Sequence, residues 1–314
     1  MLENRVHMDE GNRGIGEIVI KGELFAAASE LLTARRVVII TGFPCLLDFT
    51  PPTETDGPLG AVAIARALVE LGKDVVIATD ECNEEPVLAA VAASGLYGAH
   101  LQLECFAGGI GYDEGEAARL KSLAESVDMV VAIERAGPCS DGMYKTMRGF
   151  DMSYLLAPLE LLLLNGEDFD DEEPTDAPSK PRKKIRSVAI GDGGNEVGMG
   201  KIYQRILDSK IPNAKEITCV VPSDHLIVAS VSNWGGYALA AALAVLSAQN
   251  GNVENMVSRC LVSSGKETEI CSRLVSAGAR DGISKKQELS IDGMPLSKTL
   301  EVLEDIRRIA CSGK

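Results

Sequence analysis

The residues best suited to chemistry fall in a few short segments of mixed charge and glycine. Glu134 and Arg135 follow directly on an apolar run. The segment GDGGNEVGMGK (191–201) holds Asp192, Gly193, Gly194, Asn195 and Glu196, and the segment PPTETDGPLG (51–60) holds Glu54 and Asp56. Carboxyl groups in unlike environments can divide acid and base duties, one staying ionised while the other keeps a proton. A guanidinium such as that of Arg135 can grip a carboxylate through two parallel hydrogen bonds. The glycines of 191–201 let backbone come close to a ligand. Clustered carboxylates are also oxygen donors of the kind that hold Mg²⁺ or Mn²⁺, so a divalent metal is an open alternative as cofactor.

Each feature also has a plainer reading. Glu134 and Arg135 can form a structural ion pair, Glu54 and Asp56 can cap a helix dipole, and the 191–201 segment can be a tight turn into a helix. It matches neither G-x-x-x-x-G-K-[ST] nor G-x-G-x-x-G. GNRGIG (11–16) has no strand before it and reads as loop. His225 follows Asp224, which would suit a base, but an ordinary structural histidine fits as well. Trp234 either packs or lines a pocket, with Asn233 capping the helix behind it.

Positioning these groups requires strands and helices in alternation. Short β-branched runs predict strands at 36–41, 74–79, 129–133, 187–190 and 217–221. Apolar residues at helical spacing predict helices at 23–34, 58–71, 86–93, 113–126 and 237–247, with Pro58 and Gly72 as start and stop signals. Strands separated by helices pair in parallel, and runs apolar on both faces need covering on both sides. The fold class expected is α/β, an open doubly wound, mainly parallel sheet with helices on both faces, in a single domain over 1–314. The polar clusters after the five strands, the last being Pro222, Ser223 and Asp224, should then converge where open α/β sheets bind ligands. Residues 166–186 break the pattern, with acidic residues followed by basic ones and prolines, and read as a solvated, mobile insertion.

Composition narrows the function classes. The 314 residues carry 31 basic and 46 acidic side chains, a formal net charge of −15. That repels a phosphate backbone, so nucleic acid is excluded as a partner, and an anionic small substrate would need a local cationic pocket. No apolar stretch is long enough for a membrane span. The eight cysteines form no C-x-x-C pair and read as reduced thiols of an intracellular protein. The first residues resemble neither a secretory signal nor a transit peptide, so a native N-terminus would imply the cytoplasm. Association into a homo-oligomer is left open.

Six blocks carry a resemblance: TGFP (41–44), PPTETDGPLGA (51–61), IERAG (133–137), DGMY (141–144), GDGGNEVGMGK (191–201) and SNWGGYALA (232–240). Together, and over roughly residues 20–300, the chain resembles the C-terminal domain family of D-glutamate cyclase. The resemblance implies conversion of D-glutamate to 5-oxo-D-proline and water, and a mitochondrial matrix location. Arg135, Tyr144 and Arg148 fall on the family's motifs, whereas Lys145 and His225 do not. The expected catalytic set is Asp56, Glu134, Asp192 and Glu196. The expected substrate-binding set is Arg135, Tyr144, Arg148, Gly193, Gly194, Asn195 and Asn233. Two rival readings remain: a non-catalytic domain binding an acidic metabolite, and a phosphate-ligand enzyme that uses the 191–201 turn as a cradle.

Overall fold

Six strands form one parallel sheet: β1 (Arg36–Gly42), β2 (Asp74–Asp80), β3 (Leu101–Phe106), β4 (Met129–Arg135), β5 (Arg186–Gly191) and β6 (His225–Val228). Their order is β3-β2-β1-β4-β5-β6. The computed structural model describes residues 1–10, 14–96, 98, 100–164, 185–248 and 251–312. The insertion expected at 166–186 lies outside these except for its last two residues, Ile185 and Arg186.

Alternation within the strands feeds two cores. Val37, Ile39, Val75, Ile77, Val131 and Val188 face one side, and Val38, Ile40, Val76, Ala78, Val130 and Ala189 face the other. The first side is covered by α1 (Leu2–Val6), α2 (Glu23–Leu31), α3 (Pro58–Glu70), α4 (Glu84–Ser94) and, from the C-terminal third, four further helices. The second is covered by α5 (Glu114–Ser126), α6 (Tyr203–Leu207), α7 (Ala214–Ile217) and irregular segments. The four further helices on the first side are α8 (Ser232–Ser247), α9 (Val253–Cys260), α10 (Ser264–Ser276) and α11 (Leu296–Cys311). The open, doubly wound parallel arrangement is as expected. Among the described residues no helix is long and apolar enough to cross a membrane.

Two strand assignments need correction. Residues 218–221 are not a strand. Their backbone is taken by the neighbouring loops: Cys219 N–H donates to Gly194 O, Val220 N–H to Pro138 O, and Val221 O accepts from Gly198 and Gly200. A short apolar run buried beneath a loop has no periodicity that separates it from a buried strand. The strand is β6, one turn further on, so Pro222, Ser223 and Asp224 precede a strand instead of following one. Asp224 accepts from Ser187 N at the start of β5, which puts it at the amino edge of the sheet. His225 is held there between Glu23 and Glu30. Strand β3 was not anticipated, because its sequence, LQLECF, alternates polar and apolar as an edge strand does.

Helices α3 and α8 cross at glycines. A Cβ on Gly236 would lie 2.7 Å from Gly60 Cα, and one on Gly60 would lie 2.9 Å from Asn233 Cα. The two helices exchange caps at this crossing. Asn233 Oδ1 accepts from Gly57 N (3.0 Å) and Gly60 N (2.7 Å) at the start of α3. Asp56, just before α3, accepts from Ser232 N and Asn233 N (both 2.8 Å) at the start of α8. N-terminal N–H groups that lack intrahelical partners are thereby satisfied. Trp234 is fully buried and donates to Thr299 on α11 (3.1 Å), so it packs.

Beneath α8, the buried Tyr237 hydroxyl donates to Glu267 on α10. Burial raises the Glu267 carboxyl from 4.5 to about 7, against the opposing pull of that hydroxyl. At the carboxyl ends of the strands, Arg135 is fully buried and pairs with Asp80 through its two terminal guanidinium nitrogens. Arg135 also donates to Ala157 O, and Asp80 accepts from Ala157 N. The pair therefore spans the end of β1, from β4 to β2, and pins the chain at Ala157. Arg135 was expected to anchor substrate; the structure gives it this structural bond instead.

Two stability predictions follow from these buried pairs. Asp80→Ala leaves Arg135 buried and uncompensated, which should cost about 3–5 kcal/mol, read as a lower urea midpoint. A midpoint within error of wild type would refute the clamp. For Glu267 the folded state holds the proton more tightly than the unfolded chain. Its stabilising contribution is complete below about 4.5 and is lost as pH rises through about 7. Glu267→Gln should therefore gain on wild type between about pH 5 and pH 8, by on the order of 3 kcal/mol at about 1.4 kcal/mol per unit. A stability difference that is flat across that range would contradict the assignment.

Candidate active site

The chain runs outward from β1 through β2 to β3 and, on the other side, from β4 through β5 to β6. Loops leaving adjacent β1 and β4 therefore part in opposite directions, opening a crevice at the carboxyl ends of the strands. A cavity of about 690 Å³ lies there. After β1, Phe43, Cys45 and Glu54 line it; β4 ends in it with Glu134; and Asp192, Asn195 and Glu196 enter after β5. A hairpin after β4 brings Thr146, Met147, Arg148, Phe150 and Asp151, and a C-terminal segment brings Ile283, Lys285 and Asp292.

Glu134 is at the centre. Its backbone φ is 41°, a left-handed conformation that is costly for a non-glycine residue and turns its side chain off the strand line. Gly57 makes room for it: a Cβ there would lie 2.8 Å from Glu134 Cβ. The Ser232 hydroxyl donates to Glu134 Oε2 at 2.6 Å. Burial, then the charges of Asp192, Glu196, Asp56 and Glu54, push the Glu134 carboxyl well above its ordinary range. Cys45 Sγ donates to Glu54 Oε2 (3.5 Å), and burial followed by that carboxylate raises the thiol.

The turn after β5 folds around Glu196. Its carboxylate accepts from Asp192 N (2.9 Å), Gly193 N (2.5 Å) and Gly194 N (2.6 Å). The turn is tied to the end of β4 by Val197 N to Arg135 O (2.7 Å) and Gly137 N to Asn195 O (3.0 Å). Glu196 thus holds the turn that presents Asp192. The same bonds occupy the N–H groups that a phosphate cradle would need. Oxygens of Glu134, Asp192 and Glu196 lie within 4.8 Å of one another, as do oxygens of Asp56, Asp192 and Asp292. Asp192 belongs to both groups, and among the described residues these five carboxylates are the ones placed to hold a metal.

Of the expected residues, Glu134, Asp192, Asn195, Glu196 and Arg148 line the cavity, and Asp56 joins them through its carboxylate oxygens. Asn195 also donates from its side-chain amide to Lys145 O (2.8 Å). Five other expected binding residues do not line it. Arg135 is committed to Asp80. Tyr144 is buried with its hydroxyl on Glu160 (2.5 Å), a carboxyl that burial raises to about 7. Asn233 donates to Thr55 O and caps α3, and Gly194 contributes its N–H to Glu196. Gly193 opens on a neighbouring cavity.

Sequence reasoning missed Asp292 and Lys285. Both lie in a segment held by Asp281, which accepts from Ile283, Ser284 and Gly293 N–H groups. The Asp-Gly pair at 281–282 was a turn signal, but nothing in it pointed to the strand ends. A Cβ at Gly282 would lie 2.1 Å from Glu54 Oε2, so a side chain there would displace the Glu54 carboxylate. The cations lining the cavity are Arg148 and Lys285. Lys285 reaches Asp48 at 3.3 Å, whereas the Arg148 guanidinium has no side-chain partner among the described residues.

Residues 2–307 match the family described as D-glutamate cyclase-like, C-terminal. The chain is 33% identical, over 318 aligned residues, to the human protein named D-glutamate cyclase, mitochondrial, a match covering 95% of this chain and 49% of that one. It thus spans about half the length of that relative. A match of this extent, to the family and to a named relative, places the chain in the D-glutamate cyclase-like C-terminal family.

Proposed function

We propose that this cavity cyclises D-glutamate to 5-oxo-D-proline with release of water by acid–base catalysis. The observation that carries the reading is Glu134, a carboxyl whose surroundings favour a bound proton, facing Asp192 across a cavity lined by Arg148. Ring closure needs the α-amine free of its third proton and the γ-carboxyl relieved of one oxygen. Asp192 takes one ammonium proton, the amine nitrogen bonds to the γ-carbon and gives up a second, the C–O bond breaks, and the departing oxygen leaves as water with one proton from Glu134 and one passed on from Asp192, the second nitrogen proton restoring Glu134. Arg148 holds the α-carboxylate, the task first expected of Arg135, since its guanidinium lacks a side-chain partner among the described residues. Ser232 fixes one oxygen of Glu134 and leaves the other to the substrate. The relative's name places that protein in mitochondria, and we carry the same compartment to this chain.

A second reading of the same charge is a divalent cation. Asp56, Asp192 and Asp292 form an all-oxygen donor set of the kind Mg²⁺ and Mn²⁺ select. Such an ion would polarise the γ-carboxyl.

Purified protein incubated with D-glutamate should form 5-oxoproline. Glu134→Gln, which keeps the shape but loses the proton, should lower kcat by about 10²–10⁴-fold with an unchanged circular dichroism spectrum. Arg148→Ala should act mainly on KM. Near wild-type kcat in Glu134→Gln would dismiss the proton donor, and an unchanged KM in Arg148→Ala would dismiss the anchor. Dialysis against EDTA decides the second reading: turnover that is lost and then restored by Mn²⁺ or Mg²⁺ supports the ion, and undiminished turnover removes it.

A further inference from the structure

A second cavity, of about 590 Å³, adjoins the first and shares Met147, Asp192 and Ile283 with it. Its remaining walls include Gly16, Glu17, Lys210, Ile211 and Pro212. Glutamate has only ten non-hydrogen atoms, while cavities of about 300–1,000 Å³ hold drug-sized ligands. The first cavity alone exceeds what glutamate fills, and the annex is surplus to it.

The position of the annex selects which end of a larger substrate enters it. Arg148, the cation available for the α-carboxylate, lines the first cavity and not the annex. The departing atom lies beside Glu134, whose carboxylate is within 4.8 Å of that of Asp192, and Asp192 opens on the annex. A group attached to the departing atom therefore points into the second cavity. The α-amine must stay free as nucleophile, so the substituent belongs on the γ-carbonyl.

We propose that the site also accepts γ-D-glutamyl amides and that the annex receives their amine portion; this rests on the D-glutamate reading of the first cavity. The α-amine nitrogen bonds to the γ-carbon, the γ C–N bond breaks, the substrate ammonium gives up two protons on becoming the lactam N–H, and the departing nitrogen takes up two through the site and leaves as an ammonium ion. The products are 5-oxo-D-proline and a free amine, with no water consumed and no oxidant involved. Met147, Ile211, Pro212 and Ile283 offer apolar surface to the substituent. Among the described residues of its lining, Asp9, Glu17 and Asp192 stand beside Lys210, and carboxylates suit an amine that departs as an ammonium ion.

The test compares γ-D-glutamyl benzylamide with D-glutamate on the full chain, following 5-oxoproline and benzylamine by mass spectrometry against an enzyme-free control. Two variants narrow the annex away from the carboxylates. Gly16→Phe adds a side chain where a Cβ meets nothing within 4 Å. Lys210→Trp replaces an exposed side chain whose partner is Glu17. Wild type should release benzylamine, and at least one variant should lower kcat/KM for the amide by about tenfold or more while leaving that for D-glutamate unchanged. Turnover of D-glutamate without turnover of the amide overturns the proposal and leaves the D-glutamate reading standing. Equal loss on both substrates, or no loss in either variant, also overturns it. Turnover of the amide alone keeps the annex and removes the D-glutamate reaction, and turnover of neither removes both.

Discussion

The exchange of caps between α3 and α8 is the constraint on which the site depends. Asp56 precedes α3 yet satisfies the first N–H groups of α8, and Asn233 in α8 satisfies those of α3. Neither helix start is complete until the two are docked, and docking requires bare backbone at Gly60 and Gly236. The arrangement brings two helix N-termini, each with its partial positive charge, to one corner of the cavity. It also sets Ser232 where its hydroxyl meets Glu134. Packing of two apolar helices and placement of a reactive carboxyl are thus one event.

That corner is acidic in an already acidic protein. Buried like charges are tolerated only when protons, donors or cations compensate them. Each carboxylate is met differently: Asp56 by helix N–H groups, Glu196 by the N–H groups of its own turn, and Glu134 by conditions that favour a proton. Arg135, the most deeply buried cation nearby, contributes nothing to the cavity because Asp80 holds it. The fold separates a neutralised ion pair that fixes strand ends from a group of carboxyls in which the surroundings of Glu134 favour a bound proton.

The sheet was largely legible in the sequence because β1, β2, β4 and β5 are buried on both faces and read as unbroken apolar runs. Strand β3 escaped because an edge strand carries Gln102 and Glu104 outward. The run at 218–221 misled because burial beneath a loop leaves the same composition as burial in a sheet. At the site, residues immediately after strands were found by position alone: Glu134, Asp192, Asn195 and Glu196. What position could not reveal was direction. Arg135 follows Glu134 by one residue and so projects to the opposite side, into Asp80. Asn233 and Asp56 cap helices other than those they adjoin, a relation fixed only by tertiary contact. Asp292 and Lys285 arrive from more than eighty residues beyond the turn at 191–201, beside no strand of the sheet.

On the reading proposed, this rigidity suits the chemistry. Nucleophile and electrophile belong to one molecule, so the protein need not gather two reactants. Its work is to hold the chain folded toward ring closure and to manage two protons, and correct orientation alone can supply several kcal/mol of a barrier. A strained Glu134 kept in place by Ser232 and Gly57, and an Asp192 presented by a turn built around Glu196, are parts that position without moving. The hairpin with Arg148 and the segment with Lys285 come from outside that frame and close the cavity from the solvent side. Carboxylates at the strand ends thus meet cations carried on loops, which places the proton-transfer groups where the sheet positions them and the substrate anchor on the hairpin that faces them.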